Sequence, residues 1–98
     1  MEIIIRKYSD KNAAALFDVI EKRKSEIESI MRSVPGLVSY SAARSGAGGF
    51  SVTVCKDRAG LDESTRRAKD WIAKNASHLA AAAPEVSTGT VIAQAAAL

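Results

Sequence analysis

In GLVSYSAARSGAGGFSVTVCKD, residues 36–57, two runs that alternate apolar and small polar side chains flank a glycine-rich joint. Alternation with a period of two is the signature of a strand with two unlike faces, and SGAGG at residues 45–49 supplies a residue type that turns easily where the chain must reverse. The stretch therefore reads as a β-hairpin. Its alternation sets Val38, Tyr40 and Ala42 with Phe50, Val52 and Val54 on one apolar face, expected to lie under helices. Leu37, Ser39, Ser41 and Ala43, with Ser51, Thr53 and Cys55, make the other face.

Working outward, Pro35 and Gly36 close a long amphipathic segment whose stripe is Leu16, Ile20, Ile27, Ile30 or Met31, and Val34, with Phe17 beside it. Ser9 or Asp10 can cap its start through a side-chain oxygen. Opposite charges one turn apart, such as Asp18 with Lys22 and Lys24 with Glu28, mark its wet side. Before it, Glu2 to Tyr8 is dense in β-branched isoleucine and reads as a strand. After the hairpin, a second helix is expected from about Ala59–Asp62 to about Ser77, with Leu61, Thr65, Ala68, Ile72 and Asn75 or Ala76 facing inward. His78 to Ala83 extends that helix or forms a separate turn, and Ala80 to Ala83 is either a lid or a spacer. Pro84 ends it, and Glu85 to Gln94 reads as the last strand. The order is β-α-β-β-α-β, that of the split-βαβ or ferredoxin-like α+β fold: a four-stranded antiparallel sheet with two helices on one face. The other face is bare and poor in charge, which favours a symmetric homodimer through sheet faces.

Residues 1–98 are expected to form a single domain, since the chain is too short for two cores. A charged fraction of 26% against 47% apolar residues argues against disorder. The net charge of +3 is mild and interspersed, so it makes no case for nucleic acid. One cysteine, Cys55, cannot pair within the chain and points to a reducing, cytoplasmic setting. The opening MEIIIRKYSD reverses the order of a secretory signal, and no segment reaches membrane-spanning length.

PGLVSY, FSVTVCKD, ESTRRAKDWIAKN and PEVSTGTV resemble small proteins of the dimeric α+β barrel superfamily, near the antibiotic biosynthesis monooxygenase-like group. The resemblance covers most of the chain. It implies a homodimer with a pocket between helices and sheet in each protomer, and no cofactor. It also implies an activity for some members: cofactor-independent oxygenation, with heme degradation in others.

Trp71 is the first candidate site residue, because a tryptophan on the second helix recurs in that superfamily and its indole N–H is a single directed donor. Asn75, one turn later, offers a second polar handle to the same region. Tyr40 can orient a phenolic or quinone-like ligand. Against these stand the structural alternatives: a packed tryptophan, a helix-end asparagine, and a strand tyrosine with a wet tip. His78 is the single histidine and cannot build a multi-histidine metal centre. The strand asparagine of the heme-degrading relatives is absent, its place taken by Ile3, Ile4 and Ile5, so heme binding is disfavoured. Cys55 has no neighbouring base, and SGAGG lacks a phosphate loop's lysine and following helix. RNA binding would need a stacking platform, yet Val52 stands where a second aromatic belongs. Two readings remain: a homodimeric binder, or cofactor-free monooxygenase, of an aromatic or polyketide-like compound, and a non-enzymatic dimeric module with a packed interior. No metal, membrane or nucleic-acid partner is expected in either.

Overall fold

The computed structural model describes residues 1–97. Its elements are β1 Glu2–Tyr8, α1 Ala13–Lys22, α2 Lys24–Arg32, β2 Leu37–Ser45, β3 Gly48–Cys55, α3 Arg58–Asn75 and β4 Glu85–Thr90, with a short 3-10 turn at Ser77–Leu79. The four strands form one antiparallel sheet in the order β2-β3-β1-β4. This is the ferredoxin-like arrangement expected from the sequence, with helices packed on one face.

The hairpin turns at Gly46 and Ala47, where Gly46 alone takes a left-handed backbone angle (φ 58°). The glycines that follow serve a different need. A Cβ on Gly49 would sit 2.4 Å from the Phe17 ring and 2.5 Å from the Ala43 carbonyl oxygen, so only a bare backbone lets α1 approach the sheet here. Asp57 caps α3 by accepting the Gly60 amide at 2.9 Å.

Three expectations are corrected. The first concerns the hairpin faces. Ile4, Arg6 and Tyr8 of β1 are buried beneath the helices and stand opposite Thr53, Ser51 and Gly49 of β3. Ser51, Thr53 and Cys55 therefore lie under the helices, while Phe50, Val52 and Val54 share the bare face with Ile3 and Ile5. On β2 the register shifts between Leu37 and Ser39, a bulge at Val38 that brings Leu37, Tyr40 and Ala42 onto the same helix-covered face. Within that strip the Thr53 hydroxyl is satisfied by a buried arginine, as described below.

The second concerns the first helix, which breaks at Arg23 (φ −114°, ψ 29°) into α1 and α2. No proline or glycine stands there, and the break coincides with a hydrogen bond of 2.6 Å from the Arg23 guanidinium to Asn75 Oδ1. Neither Ser9 nor Asp10 caps α1, whose N-cap is Asn12 without a side-chain bond. Asp10 instead accepts the Ala82 amide at 2.9 Å, and Asn12 donates to the Ala80 carbonyl at 3.2 Å, tying the Ala80–Ala83 segment to the β1–α1 loop. The third concerns β4, which ends at Thr90 rather than Gln94.

The two half-helices serve separate core clusters. Ile27 and Met31 of α2 pack with Ile4, Val34, Cys55, Leu61 and Trp71. Leu16 and Phe17 of α1 pack with Tyr8, Ala13 and Ala76, the Tyr8 and Phe17 rings meeting edge to face at 5.9 Å. Leu16 and Leu61 are 0% and 2% exposed, and each contributes roughly 1.5–3 kcal/mol by leaving water. No helix among the described residues is long and apolar enough to cross a membrane.

Candidate functional site

Strand alternation places Arg6 between Ile4 and Tyr8 on the covered face of β1, and its side chain is only 2% exposed. Its NH1 donates to Thr53 Oγ1 at 3.2 Å, and its NH2 donates to Ser64 Oγ at 3.0 Å and Thr65 Oγ1 at 2.7 Å. The Ser64 hydroxyl passes its own proton to the Leu61 carbonyl oxygen at 2.7 Å, which leaves a lone pair free for the arginine. The buried Nε has no acceptor among the described residues. All three acceptors are neutral hydroxyls, and no ion pair of Arg6 occurs among the described residues. A buried cation normally finds a carboxylate, because desolvation costs several kcal/mol per ion that hydroxyl dipoles only partly offset.

Burial lowers the Arg6 pKa, with Tyr8, Tyr40 and Cys55 acting weakly in the opposite direction. Arginine stays protonated even so. Burial pushes the Tyr40 phenol up to about 12 and raises Tyr8 and the Cys55 thiol. Near neutrality these groups carry no charge, so none of them balances the guanidinium. Tyr40 is thereby a hydrogen-bond donor rather than a base.

Two neighbouring cavities lie on this side of the sheet, and Arg6 lines the inner one. An open cleft of about 410 Å³ lies between α1–α2 and β2, with Phe17, Ile20 and Ile27 facing Tyr40 and Ala42. Those five residues also line a chamber of about 30 Å³, room for one or two water molecules, whose remaining wall includes Arg6, Tyr8, Ser51 and Trp71. At the rim of the cleft, Arg44 of β2 reaches Asp18 at 2.6 Å and Glu21 at 3.0 Å on α1. These exposed ion pairs contribute little to stability.

Among the residues singled out from sequence, Trp71 and Tyr40 meet at the chamber. Trp71 is 6% exposed, and its indole N–H donates to Glu26 Oε1 at 2.9 Å. Asn75 stands on the outer flank of Trp71, donating to the Trp71 carbonyl at 2.9 Å and accepting from Arg23 at 2.6 Å. With Glu26, Asp70 and Lys74 it borders a shallow surface groove. His78 is exposed on the 3-10 turn. Cys55 is a buried free thiol. No cluster of three or more His, Cys, Asp or Glu suited to a metal ion occurs among the described residues. The sequence reading passed over Arg6. The signal available was an arginine in phase with Ile4 and Tyr8 on a strand otherwise built of isoleucine.

No protein-family model matches the chain, and no curated protein matches it. Solved structures do. NE2512 from Nitrosomonas europaea, a protein of unknown function, superposes with a TM-score of 0.69 at 19% identity, over 99% of this chain and 93% of that one. SnoaB from Streptomyces nogalater, a cofactor-independent oxygenase, gives 0.65 at 16% identity, over 95% and 94%. A dimeric ferredoxin-like protein from an uncultured marine organism gives 0.65 at 21% identity, over 96% and 95%. At these identities the likeness is one of fold: the chain has a ferredoxin-like fold, which it shares with a putative antibiotic biosynthesis monooxygenase from Chloroflexus aurantiacus (TM-score 0.63, 19% identity, over 97% of this chain and 96% of that one).

Proposed function

With that shared fold as premise, we propose that the protein is a homodimeric, cytoplasmic small-molecule-binding protein of the antibiotic biosynthesis monooxygenase-like group, acting as a cofactor-independent monooxygenase on an aromatic or polyketide-like compound. The observation that carries this reading is the mostly apolar cleft between α1–α2 and β2, which shares Phe17, Ile20, Ile27, Tyr40 and Ala42 with a small chamber lined by Trp71 and the buried Arg6. SnoaB, of the same fold, is a cofactor-independent oxygenase. In such a reaction the ionised substrate itself reduces dioxygen, so the protein's task is to bind, desolvate and orient it. Trp71 and Tyr40 shape the inner wall, and the neutral Tyr40 phenol supplies a donor. Asn75 acts at one remove, holding the turn of α3 that carries Trp71.

The dimer forms through the bare sheet face. Ile3, Ile5, Phe50 and Val52 lie there, with Ile5 38% exposed in the single chain. An apolar sheet face of this kind is stable when a second copy covers it.

The second reading, a non-enzymatic dimeric module, draws on one specific observation: the chamber beside Trp71 is water-sized, and the indole N–H is already bonded to Glu26. Titrating the dimer with quinones, polyphenols, flavin and heme while following Trp71 fluorescence separates the two. A saturable change confined to one aromatic class, followed by oxygen uptake with that class, supports the oxygenase. A flat response across the panel leaves the packed module.

A further inference from the structure

Among the described residues, every ion pair involves side chains at least 25% exposed, whereas Arg6, the one buried charge among them, donates only to hydroxyls. An uncompensated buried cation is a liability in a stable core. It is tolerated where a ligand supplies the missing negative charge, at some cost to the unliganded fold. The guanidinium also retains an unused Nε–H with no acceptor among the described residues.

We propose that Arg6 is an anion-binding residue, and that the ligand of this protein is a planar aromatic oxyanion whose charged oxygen enters the inner chamber while its ring system lies in the outer cleft. This rests on the small-molecule reading of the cleft above. The two cavities differ in size in the way such a ligand requires. The outer cleft, about 410 Å³, falls within the range of small-ligand sites. The inner chamber, about 30 Å³, has room for one or two water-sized groups, enough for the oxygen end of a ligand and not for its ring. Their shared walls, Phe17, Ile20, Ile27, Tyr40 and Ala42, are apolar and aromatic, and set the two cavities side by side. Arg6 lines the chamber and brings its charge there, and its Nε–H is without an acceptor among the described residues. Its NH1 and NH2 groups are braced by Thr53, Ser64 and Thr65 so that the fork does not reorient when an anion arrives. The neutral Tyr8 and Tyr40 phenols leave the positive charge unquenched. The consequence for chemistry is selectivity: the site favours the ionised form of a weakly acidic phenol, enol or carboxylic acid over its neutral form.

The test compares three probes by Trp71 fluorescence at pH 7: a hydroxynaphthoquinone that is ionised at neutral pH, its uncharged methyl ether, and naphthoate. Wild-type protein is expected to bind the charged quinone at least about tenfold more tightly than its methyl ether, as a charge-assisted hydrogen bond in a dry site requires. Arg6→Met is expected to lose that preference, and Arg6→Lys to keep part of it. Far-ultraviolet circular dichroism confirms that each variant is folded, and Arg6→Lys tests the charge if Arg6→Met is not. Naphthoate distinguishes the sources of the oxyanion. Binding as tight as the quinone's assigns the site to carboxylates, and weaker binding to ionised enols and phenols. Equal affinity for the charged quinone and its ether, or a preference that survives in Arg6→Met, overturns the role of Arg6 while leaving small-molecule binding intact. Failure of all three probes to bind wild-type protein overturns both.

Discussion

Replacing Thr53 by valine asks directly which face of β3 carries the polar strip. Thr53 is 0% exposed and its hydroxyl accepts from Arg6 NH1 at 3.2 Å. Removing an acceptor from a buried charged donor costs about 1.5–3 kcal/mol, and the length of this bond places it toward the lower end of that range. The methyl that replaces the hydroxyl recovers up to about 0.8 kcal/mol by burial. The net expectation is a loss of about 1 kcal/mol, or a fall of about 4–8 °C in Tm for a domain of this size. Strand alternation taken alone gives the opposite sign. With Thr53 on the bare face, valine would match Val52 and Val54 in β preference and enlarge the dimer contact, leaving stability unchanged or raised. Urea unfolding followed by Trp71 emission measures the difference, at one fixed protein concentration because a dimer's stability depends on it. A double-mutant cycle sharpens the test: once Arg6→Met has removed the donor, Thr53→Val should cost nothing, giving a coupling of about 1 kcal/mol. A valine variant as stable as the parent, or strict additivity with Arg6→Met, would refute the reasoning.

Two further perturbations probe other parts of the molecule. Val52→Asp sets a carboxylate in the middle of the bare sheet face, where a partner would bury it unpaired, so sedimentation should show a folded monomer in place of the proposed dimer; a dimer of unchanged affinity would place the interface elsewhere. Glu63 is held down to about 2 by hydrogen bonds from Arg66 and Arg67, well below its ordinary 4.5. Its contribution is therefore present above about 4.5, where the unfolded chain also keeps it ionised, and is lost as pH falls through that window toward about 2. Glu63→Gln should flatten the acid limb of a plot of urea midpoint against pH over this interval, by a small amount because the network is exposed. An acid limb identical to the parent's would show that Arg66 and Arg67 do not hold Glu63 in solution.

Much of the fold was legible because its signals are local. A period of two in LVSYSAAR and FSVTVCKD, a period near 3.6 between Leu16 and Val34, and breakers at Pro35, Gly36, Gly46 and Pro84 depend only on neighbours along the chain. The break at Arg23 was not legible, since no residue there is a helix breaker and Arg23's partner, Asn75, lies 52 positions away. The site was legible in part. Trp71 and Tyr40 were named for their chemistry and do converge on one chamber, while Asn75 follows Trp71 by one turn yet points its polar atoms at the Trp71 carbonyl and Arg23.

The amino-acid sequence by itself determined that there are two unlike faces on each hairpin strand, in which order strands and helices follow, and that one sheet face would remain bare. Only the tertiary structure decided which face is which. Alternation is symmetric under exchange of the two faces, and the bulge at Val38 reverses the parity of β2 partway along. The usual tie-breaker, that the apolar side goes inward, fails here because Arg6 gives the buried Thr53 and Ser64 and the partly buried Thr65 a hydrogen-bond partner across 47 to 59 residues of chain. A hydroxyl is neutral enough to be wet or buried with little difference in cost, provided it finds a partner. Whether it finds one is a property of the folded molecule and of no segment of the chain.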